Sequence, residues 1–155
     1  MIPDKIDRQI LSLLQEDAKQ TIKEIAAKLG LTTTPVHERI KRLEREGVIK
    51  GYRAMLDRRK IGLPLMAFCN VTLENHKAEY IEKFQEDVWH LEEVVECYHI
   101  AGLFDYLLKI VVADMDTYQF FVAKKLAAIE NIGRVQSFFV MTDIKEARIL
   151  PIRPE

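Results

Sequence analysis

Residues 32–47, TTTPVHERIKRLEREG, carry hydrogen-bonding side chains along one side of a predicted helix. At about 100° per residue, Val36, Ile40 and Leu43 fall on one apolar stripe. The opposite side presents Thr33, Thr34, His37, Glu38, Lys41 and Arg45. Their hydroxyl, imidazole, carboxylate and cationic groups can pair with base edges in the major groove of DNA. A merely solvated helix face has the same pattern, so the flanking elements must decide between the two.

Basic residues flank this polar face. Arg42 lies at its edge, and Lys50 and Arg53 follow the helix, so these three are expected mainly to hold phosphates. Arg39 lies beside the apolar stripe and is expected either to brace the helices or to reach a phosphate. With the helix start included, the candidate DNA-binding residues are Thr32, Thr33, Thr34, His37, Glu38, Arg39, Lys41, Arg42, Arg45, Lys50 and Arg53.

A second helical pattern comes directly before this one. Apolar residues recur at three- and four-residue spacing from Ile22 to Leu29, and Gly30 can end the helix in a left-handed conformation. Thr32 is predicted to cap the next helix, its hydroxyl accepting from the Thr34 amide. Two helices joined through a glycine turn are typical of a helix-turn-helix DNA reader.

The first helix and the linker are predicted from a helix-capping residue and from residues that interrupt the apolar periodicity. Asp4 can cap a first helix that reaches about Asp17, which gives a three-helix head over residues 1–49. Residues 48–56 are β-prone and predict a short strand or wing. The segment 50–64 is read as strand and linker, because its last residues, IGLP, break the pattern.

Charge is divided unevenly along the chain, although the net charge is only −1. Residues 1–60 hold 14 Lys and Arg against 9 Asp and Glu, a net of +5. The remaining residues hold 9 against 15, a net of −6. Because the basic charge lies in the half with the helix-turn-helix pattern, the asymmetry favours a polyanionic partner for that half.

The periodicity changes after the linker. Predicted strands cover residues 65–73, 94–100, 106–112 and 135–142, and helical stripes run from Tyr80 to Val88 and from Met115 to Ile129. This βαββαβ order is the ferredoxin-like arrangement. The predicted fold class is therefore α+β: an N-terminal helix-turn-helix, winged-helix-like domain, then a ferredoxin-like domain at 65–143 for effector binding and oligomerisation, with a C-terminal tail at 144–155.

The strands of the second domain are apolar at both odd and even positions, whereas a solvated sheet face should alternate. Met66, Phe68, Leu107 and Val111, or the set of opposite parity, would leave a large exposed apolar patch. We therefore expect a dimer or a larger assembly.

Several classes of protein are disfavoured by the sequence. No stretch is long enough to span a membrane and the N-terminus has no signal-peptide pattern, so a cytoplasmic location is expected. Cys69 and Cys97 stand alone in apolar segments and are expected to be small buried hydrophobes, not metal ligands or a disulfide. The four histidines share no ligand spacing, and no convergent catalytic set is visible, so neither a metal, another cofactor nor an enzyme is predicted. RNA binding by the sheet is disfavoured, because YLLKIVV lacks the basic-Gly-aromatic pattern and its domain is acidic.

These features together resemble the Lrp/AsnC (feast/famine) family of bacterial and archaeal transcription regulators. The resemblance covers nearly the whole chain. In the head it rests on Asp7, Ile10-Leu11, Glu24-Ile25-Ala26, Gly30-Leu31-Thr32, Arg39, Leu43-Glu44, Gly47-Val48-Ile49, Gly51-Tyr52 and Gly62. In the second domain it rests on Gly102-Leu103-Phe104-Asp105-Tyr106, where the family has a Gly-x-x-Asp loop, and on Ser137-Phe138 in the last strand.

The resemblance implies a dimer paired through the second domains, often assembled into octamers, whose heads bind pseudo-palindromic DNA. It also implies an amino-acid effector bound between second domains. The candidate effector-binding residues are Gly102, Leu103, Phe104, Asp105, Gln136 and Ser137. Leu103 departs from the family pattern, in which many members have an acidic or polar residue. An alternative is an amino-acid-sensing protein that regulates through protein contacts and not through DNA.

The loop residues have chemistry of their own that fits an effector. Gly102 lets the backbone approach a ligand closely, and Asp105 could accept from an α-ammonium group. Gly and Asp are also ordinary turn residues, so Asp105 could instead bond amides of its own chain.

Overall fold

The computed structural model of the protein describes residues 3–145 and 149–152. The chain divides into two compact units, one formed by residues 1–55 and 145–155 and the other by residues 56–144. Residues 149–152, which lie in the segment predicted to be a C-terminal tail, belong with the N-terminal unit. Among the residues described, no helix has the length and apolar character needed to cross a membrane.

The first unit contains three helices, α1 Lys5–Glu16, α2 Ile22–Leu29 and α3 Thr33–Arg45. Asp4 caps α1 as predicted, and its carboxylate accepts from the Asp7 amide while Asp7 accepts from the Asp4 amide. Gly30 ends α2 with a φ of 66°, in the left-handed region that glycine adopts without steric cost. The core between the helices is made of Ile10, Ile25, Ala26, Val36 and Ile40.

Two local predictions for this unit are wrong. Thr32 precedes α3, but its hydroxyl accepts no capping hydrogen bond. The caps of α1 and α2 both bond the amide three residues on, and at that position α3 has Pro35, which has no N–H. The strand predicted at 48–56 is not formed, and the described residues of this unit contain no other strand with which it could pair.

The second unit is a four-stranded antiparallel sheet with helices packed on it. Its elements are β1 Leu65–Leu73, α4 Ala78–Trp89, β2 Val94–His99, β3 Tyr106–Val112, α5 Met115–Phe120 and β4 Ile132–Phe139. After α5 the chain continues through one wide turn, Phe121–Lys125, and one tight turn, Leu126–Ala128. The strand order β2-β3-β1-β4 confirms the predicted ferredoxin-like fold. The last strand starts and ends three residues earlier than predicted, because the ladder to β1 continues past Gly133 through a register shift at Thr72 and Leu73.

Strand parity separates the two faces of the sheet. Cys69, Val71, Leu108 and Ile110 point toward the helices and are fully buried. The residues of opposite parity point to the other side, which we name the outer sheet face; there Met66 pairs with Val111, Phe68 with Lys109 and Leu107 with Asn70. Cys97, predicted to be buried, is exposed because β2 lies at the edge of the sheet.

Candidate DNA-binding face and effector loop

The outward face of α3 is a continuous polar surface. Val36, Ile40 and Leu43 are buried in the first unit, as the periodicity predicts. All six residues predicted to point away from that stripe are exposed, namely Thr33, Thr34, His37, Glu38, Lys41 and Arg45. Thr32 is exposed at the start of the helix. These side chains therefore share one accessible side of one helix.

Arg39 and Arg42 are held by carboxylates at the start of α1. The Arg39 guanidinium lies 2.6 Å from Asp4 Oδ2 and 2.8 Å from Asp7 Oδ1. Arg42 Nη2 donates to both oxygens of Asp7, at 2.8 and 2.7 Å, and the Asp7 side chain is only 1% exposed. Hydrogen bonds from the Asp7 amide and from Arg39 hold the pKa of Asp4 below its ordinary value.

This geometry decides between the roles open to the two arginines. Arg39 braces the helices, which was one of its two predicted roles. Arg42 was predicted mainly to hold phosphates, but its guanidinium is committed to Asp7, so it too braces α3 against α1. Breaking a buried ion pair by removing one partner costs about 3–5 kcal/mol, so the network fixes the orientation of α3.

A shorter network of polar contacts lies at the C-terminal end of α3. Lys41 Nζ lies 3.0 Å from Glu44 Oε2, and the Tyr52 hydroxyl donates to Glu44 Oε1 at 3.0 Å. Hydrogen bonds from Lys41 and Tyr52 lower the pKa of Glu44, and partial burial followed by the bond to Glu44 raises the pKa of Tyr52. Lys50 and Arg53 are exposed on the irregular segment around Tyr52.

The loop between β2 and β3 combines an open tip with a tightly bonded base. Gly102 has a φ of 139°, a conformation that favours glycine, and the Leu103 side chain is 92% exposed. At the base, Asp105 Oδ2 accepts from the Leu73 amide at 2.7 Å and Oδ1 pairs with His76 Nε2 at 2.9 Å. Burial raises the pKa of Asp105, but the bonds from Leu73 and His76 outweigh it, so that its pKa lies below the ordinary value. Asp105 thus bonds its own chain, which was the alternative to a ligand role.

Phe104 turns toward β4. The Arg134 guanidinium lies over its ring, 5.9 Å from the centroid. Arg134 pairs with Thr72 and Gln136 pairs with Asn70, so both side chains lie on the outer sheet face.

Ser137 lies on the opposite side from Gln136. It pairs with Cys69, and its Oγ is 2.5 Å from the Tyr118 hydroxyl beneath the helices. The two residues were predicted to serve one site, but adjacent strand residues point to opposite faces. Only Gln136 shares a face with Arg134, so Ser137 is removed from the candidate effector site.

Comparison with known proteins agrees with both halves of this description. Residues 66–150, more than half of the chain, match the model of the Lrp/AsnC ligand binding domain. The chain belongs to the Lrp/AsnC family. Residues 3–50 of this Lrp/AsnC protein match a winged helix-turn-helix DNA-binding model. It is therefore a DNA-binding regulator that carries a ligand-binding domain.

Named relatives match over almost their full lengths. The DNA-binding transcriptional activator DecR of Escherichia coli K12 is 40% identical over 149 residues, which cover 96% of this chain and 98% of DecR. The leucine-responsive regulatory protein of Klebsiella pneumoniae is 37% identical over 150 residues, covering 97% and 92%.

Solved structures share the whole fold. A transcriptional regulator from Neisseria meningitidis, determined as an L-methionine complex, has a TM-score of 0.92 at 33% identity and covers 97% of each chain. An AsnC family regulator from Agrobacterium tumefaciens has a TM-score of 0.91 at 40% identity, with 96% of this chain and 97% of that one covered.

Sequence reasoning missed three residues and one ion pair in this Lrp/AsnC regulator. His76 and Arg134 flank the effector loop, and no local pattern joins either of them to it. Tyr52 reaches back to α3 across eight positions, again without a periodic signal. The Lys41–Glu44 pair was visible in principle, because residues three apart on a helix are neighbours. Across the residues the structure describes, no group of three or more His, Cys, Asp or Glu side chains is placed to hold a metal.

Proposed function

We propose that α3 reads DNA sequence in the major groove with the six outward side chains described above. The observation that carries the proposal is their shared exposure on a helix whose opposite stripe is buried. Lys50 and Arg53 hold phosphates beside it, since both are exposed cations next to the end of α3. Arg39 and Arg42 contribute indirectly by fixing α3 on α1. The site of action is the cytoplasm, where a bacterial or archaeal chromosome is accessible.

The proposal includes a dimer that presents two heads to a pseudo-palindromic operator, with larger assemblies such as octamers built from it. The support is the outer sheet face, where Leu107 pairs with half-exposed Tyr98 and Phe68 pairs with half-exposed Phe138. An apolar surface of this kind on a regulator favours association with a second copy. A two-fold dimer places its half-sites about one helical turn, or a multiple of it, apart.

The proposed effector is an amino acid bound beside the loop at Gly102–Phe104. The neisserial relative, solved with L-methionine, supports this class of ligand. In this chain Arg134 supplies a cation for an α-carboxylate, Gln136 lies on the same sheet face, and Phe104 offers an aromatic surface. Asp105 keeps the loop in shape and retains lone pairs for an α-ammonium group. The rival proposal is an effector sensor that acts only through protein contacts. It does not account for the exposed cations Lys41 and Arg45 on the outward face of α3.

DNA reading is tested with duplexes selected by the wild-type protein from a random pool. Replacing Lys41 or Arg45 by Ala should weaken binding about 10-fold or more, because one good base-edge contact is worth about 1–3 kcal/mol. Arg53→Ala should flatten the log-log salt dependence by about 0.9. The matched control is Lys124→Ala, an exposed lysine of the second unit. Unchanged affinity and slope in all three variants would reject the assignment.

Effector binding is tested by calorimetric titration of the wild type with each of the twenty amino acids. Arg134→Ala should abolish the heat of the amino acid that binds, while Lys124→Ala should leave it unchanged. No heat from any amino acid, or equal binding by Arg134→Ala, contradicts this part of the proposal.

A further inference from the structure

The chain folds back along α3 after the helix ends. Gly47 has a φ of 71°, and the amides of Val48 and Ile49 both donate to the Leu43 carbonyl, at 2.9 and 3.1 Å. Ile49 then packs against the core of the first unit. These contacts hold the exit segment against the helix that faces DNA.

Tyr52 adds a further attachment point. Its hydroxyl donates to Glu44 Oε1 at 3.0 Å, and its ring forms one wall of a cleft of about 230 Å³ that is also lined by Ile22 and Ile40. Gly51, with a φ of 150°, gives the backbone a conformation just before Tyr52 that other residues rarely adopt. The side chain is therefore tied to α3 through its hydroxyl.

Beyond Tyr52 the attachment stops. Residues 53–56 are exposed and irregular, and the boundary between the two units falls within them, after Met55. Regular bonding resumes at Asp57, whose carbonyl accepts from the Lys60 amide at 3.0 Å. Within the described part of the chain, Tyr52 is the last residue before this link that a side-chain hydrogen bond ties to the first unit.

We propose that Tyr52 is a positioning residue that fixes where the linker leaves the head, and so limits the half-site spacings that the protein accepts. The inference rests on the proposed pairing of heads. If the bond to Glu44 is lost, Lys50, Gly51 and Tyr52 join the free link, since Ile49 remains packed against the core. At about 3.3–3.6 Å per residue, each head then gains up to about 10 Å of reach. That is about three base pairs of duplex at 3.4 Å each.

The experiment uses full-length protein and a set of duplexes made from the selected site. The spacing between half-sites is changed by up to three base pairs in either direction. Two base pairs rotate one half-site by about 70° around the duplex, since a turn holds about 10.5 base pairs. The wild type should therefore lose about 10-fold or more in affinity on a two-base-pair insertion.

Tyr52→Phe keeps the ring and removes only the hydroxyl, and Glu44→Ala removes its acceptor. Both variants should bind the best spacing nearly as well as the wild type and lose about threefold or less on the insertion, because the longer free link absorbs the change. Glu46→Ala is the matched control, since it removes one carboxylate from the end of α3 without touching Tyr52. It should keep the wild-type loss.

The possible outcomes distinguish the pairing of heads from the role of Tyr52. A wild type that is indifferent to spacing overturns the pairing of heads, and this inference with it. A wild type with a sharp preference that Tyr52→Phe fully retains overturns the role of Tyr52 alone. Thermal unfolding of each variant shows whether the head is intact, and a loss of spacing preference in a variant with an unchanged midpoint is the supporting result.

Discussion

The side-chain amide of Gln15 on α1 binds both backbone groups of Leu150. Gln15 Nε2 donates to the Leu150 carbonyl at 3.2 Å, and Gln15 Oε1 accepts from the Leu150 amide at 2.8 Å. Two residues further on, Ile152 lines a groove together with Leu13 and Leu29. A segment 135 positions away from Gln15 is thus an integral part of the DNA-binding unit.

Removing this clamp should loosen the C-terminal segment. Gln15→Ala deletes both bonds to Leu150, and a net loss of about 1 kcal/mol corresponds to about fivefold faster amide exchange at Leu150. Hydrogen-exchange mass spectrometry measures it. Gln9→Ala is the control, because Gln9 lines the same groove without a bond to Leu150. Equal protection in Gln15→Ala and wild type would contradict the prediction.

Arg42 and Arg45 should give opposite phenotypes. Arg42→Ala removes one partner of buried Asp7 and should destabilise the head by about 3 kcal/mol, at the lower end of the cost of breaking a buried ion pair, because Arg39 still pairs with Asp7. The salt slope of DNA binding by the folded protein should change little. Arg45→Ala should leave the unfolding midpoint unchanged and weaken DNA binding. Thermal unfolding and salt titrations read the two effects separately. A stable Arg42→Ala variant with a flattened salt slope would show that Arg42 holds a phosphate after all.

Asp105 should make the second unit sensitive to acid. Its pKa is lowered in the folded protein, so its contribution is complete above the unfolded value of about 3.9 and is lost as the pH falls through the lower folded value. Carbon-13 NMR titration of the carboxylate should report that lower pKa directly. Asp105→Asn should remove this part of the acid dependence, whereas a carboxylate that titrates at or above its ordinary value would refute the prediction.

The outer sheet face should control self-association. Leu107→Lys places an unpaired charge on that face, beside Asn70 and Tyr98, and should convert the proposed dimer to monomer at micromolar concentration, because an unpaired charge is costly to bury. Sedimentation of the full chain gives the mass. Trp89→Lys is the control, since Trp89 is 86% exposed on α4, away from this face. A dimer that survives Leu107→Lys would place the interface elsewhere.

The spacing of apolar residues predicted those features that depend on the burial of a single helix or strand. The bounds of β1 and β3 follow from runs that are apolar at nearly every position, and the polar and buried sides of α3 follow from its 3.6-residue period. Strand parity also separates Gln136 from Ser137, because adjacent strand residues point to opposite faces of the sheet.

Contacts between distant segments were beyond such reasoning. The carboxylate of Asp7 is bonded to guanidinium groups 32 and 35 positions away, and nothing in the local sequence of either helix specifies that pairing. The role of Asp105 was left open because its partners, Leu73 and His76, belong to β1 and the turn after it. Packing of whole elements decides these contacts, so the roles of Arg42 and Asp105 required the structure.

The division of the chain also bears on synthesis. The chain leaves the first unit after residue 55 and returns to it at residue 145, so about 90 residues are translated between the two parts of that unit. At about 5–20 residues per second, that interval lasts about 5–18 seconds. During it, Gln15 has no Leu150 to bind, and the groove beside Leu13 and Leu29 lacks the wall that Ile152 supplies. The DNA-binding head is therefore incomplete when it is first synthesised. The whole ligand-binding unit is translated before the C-terminal segment of the head.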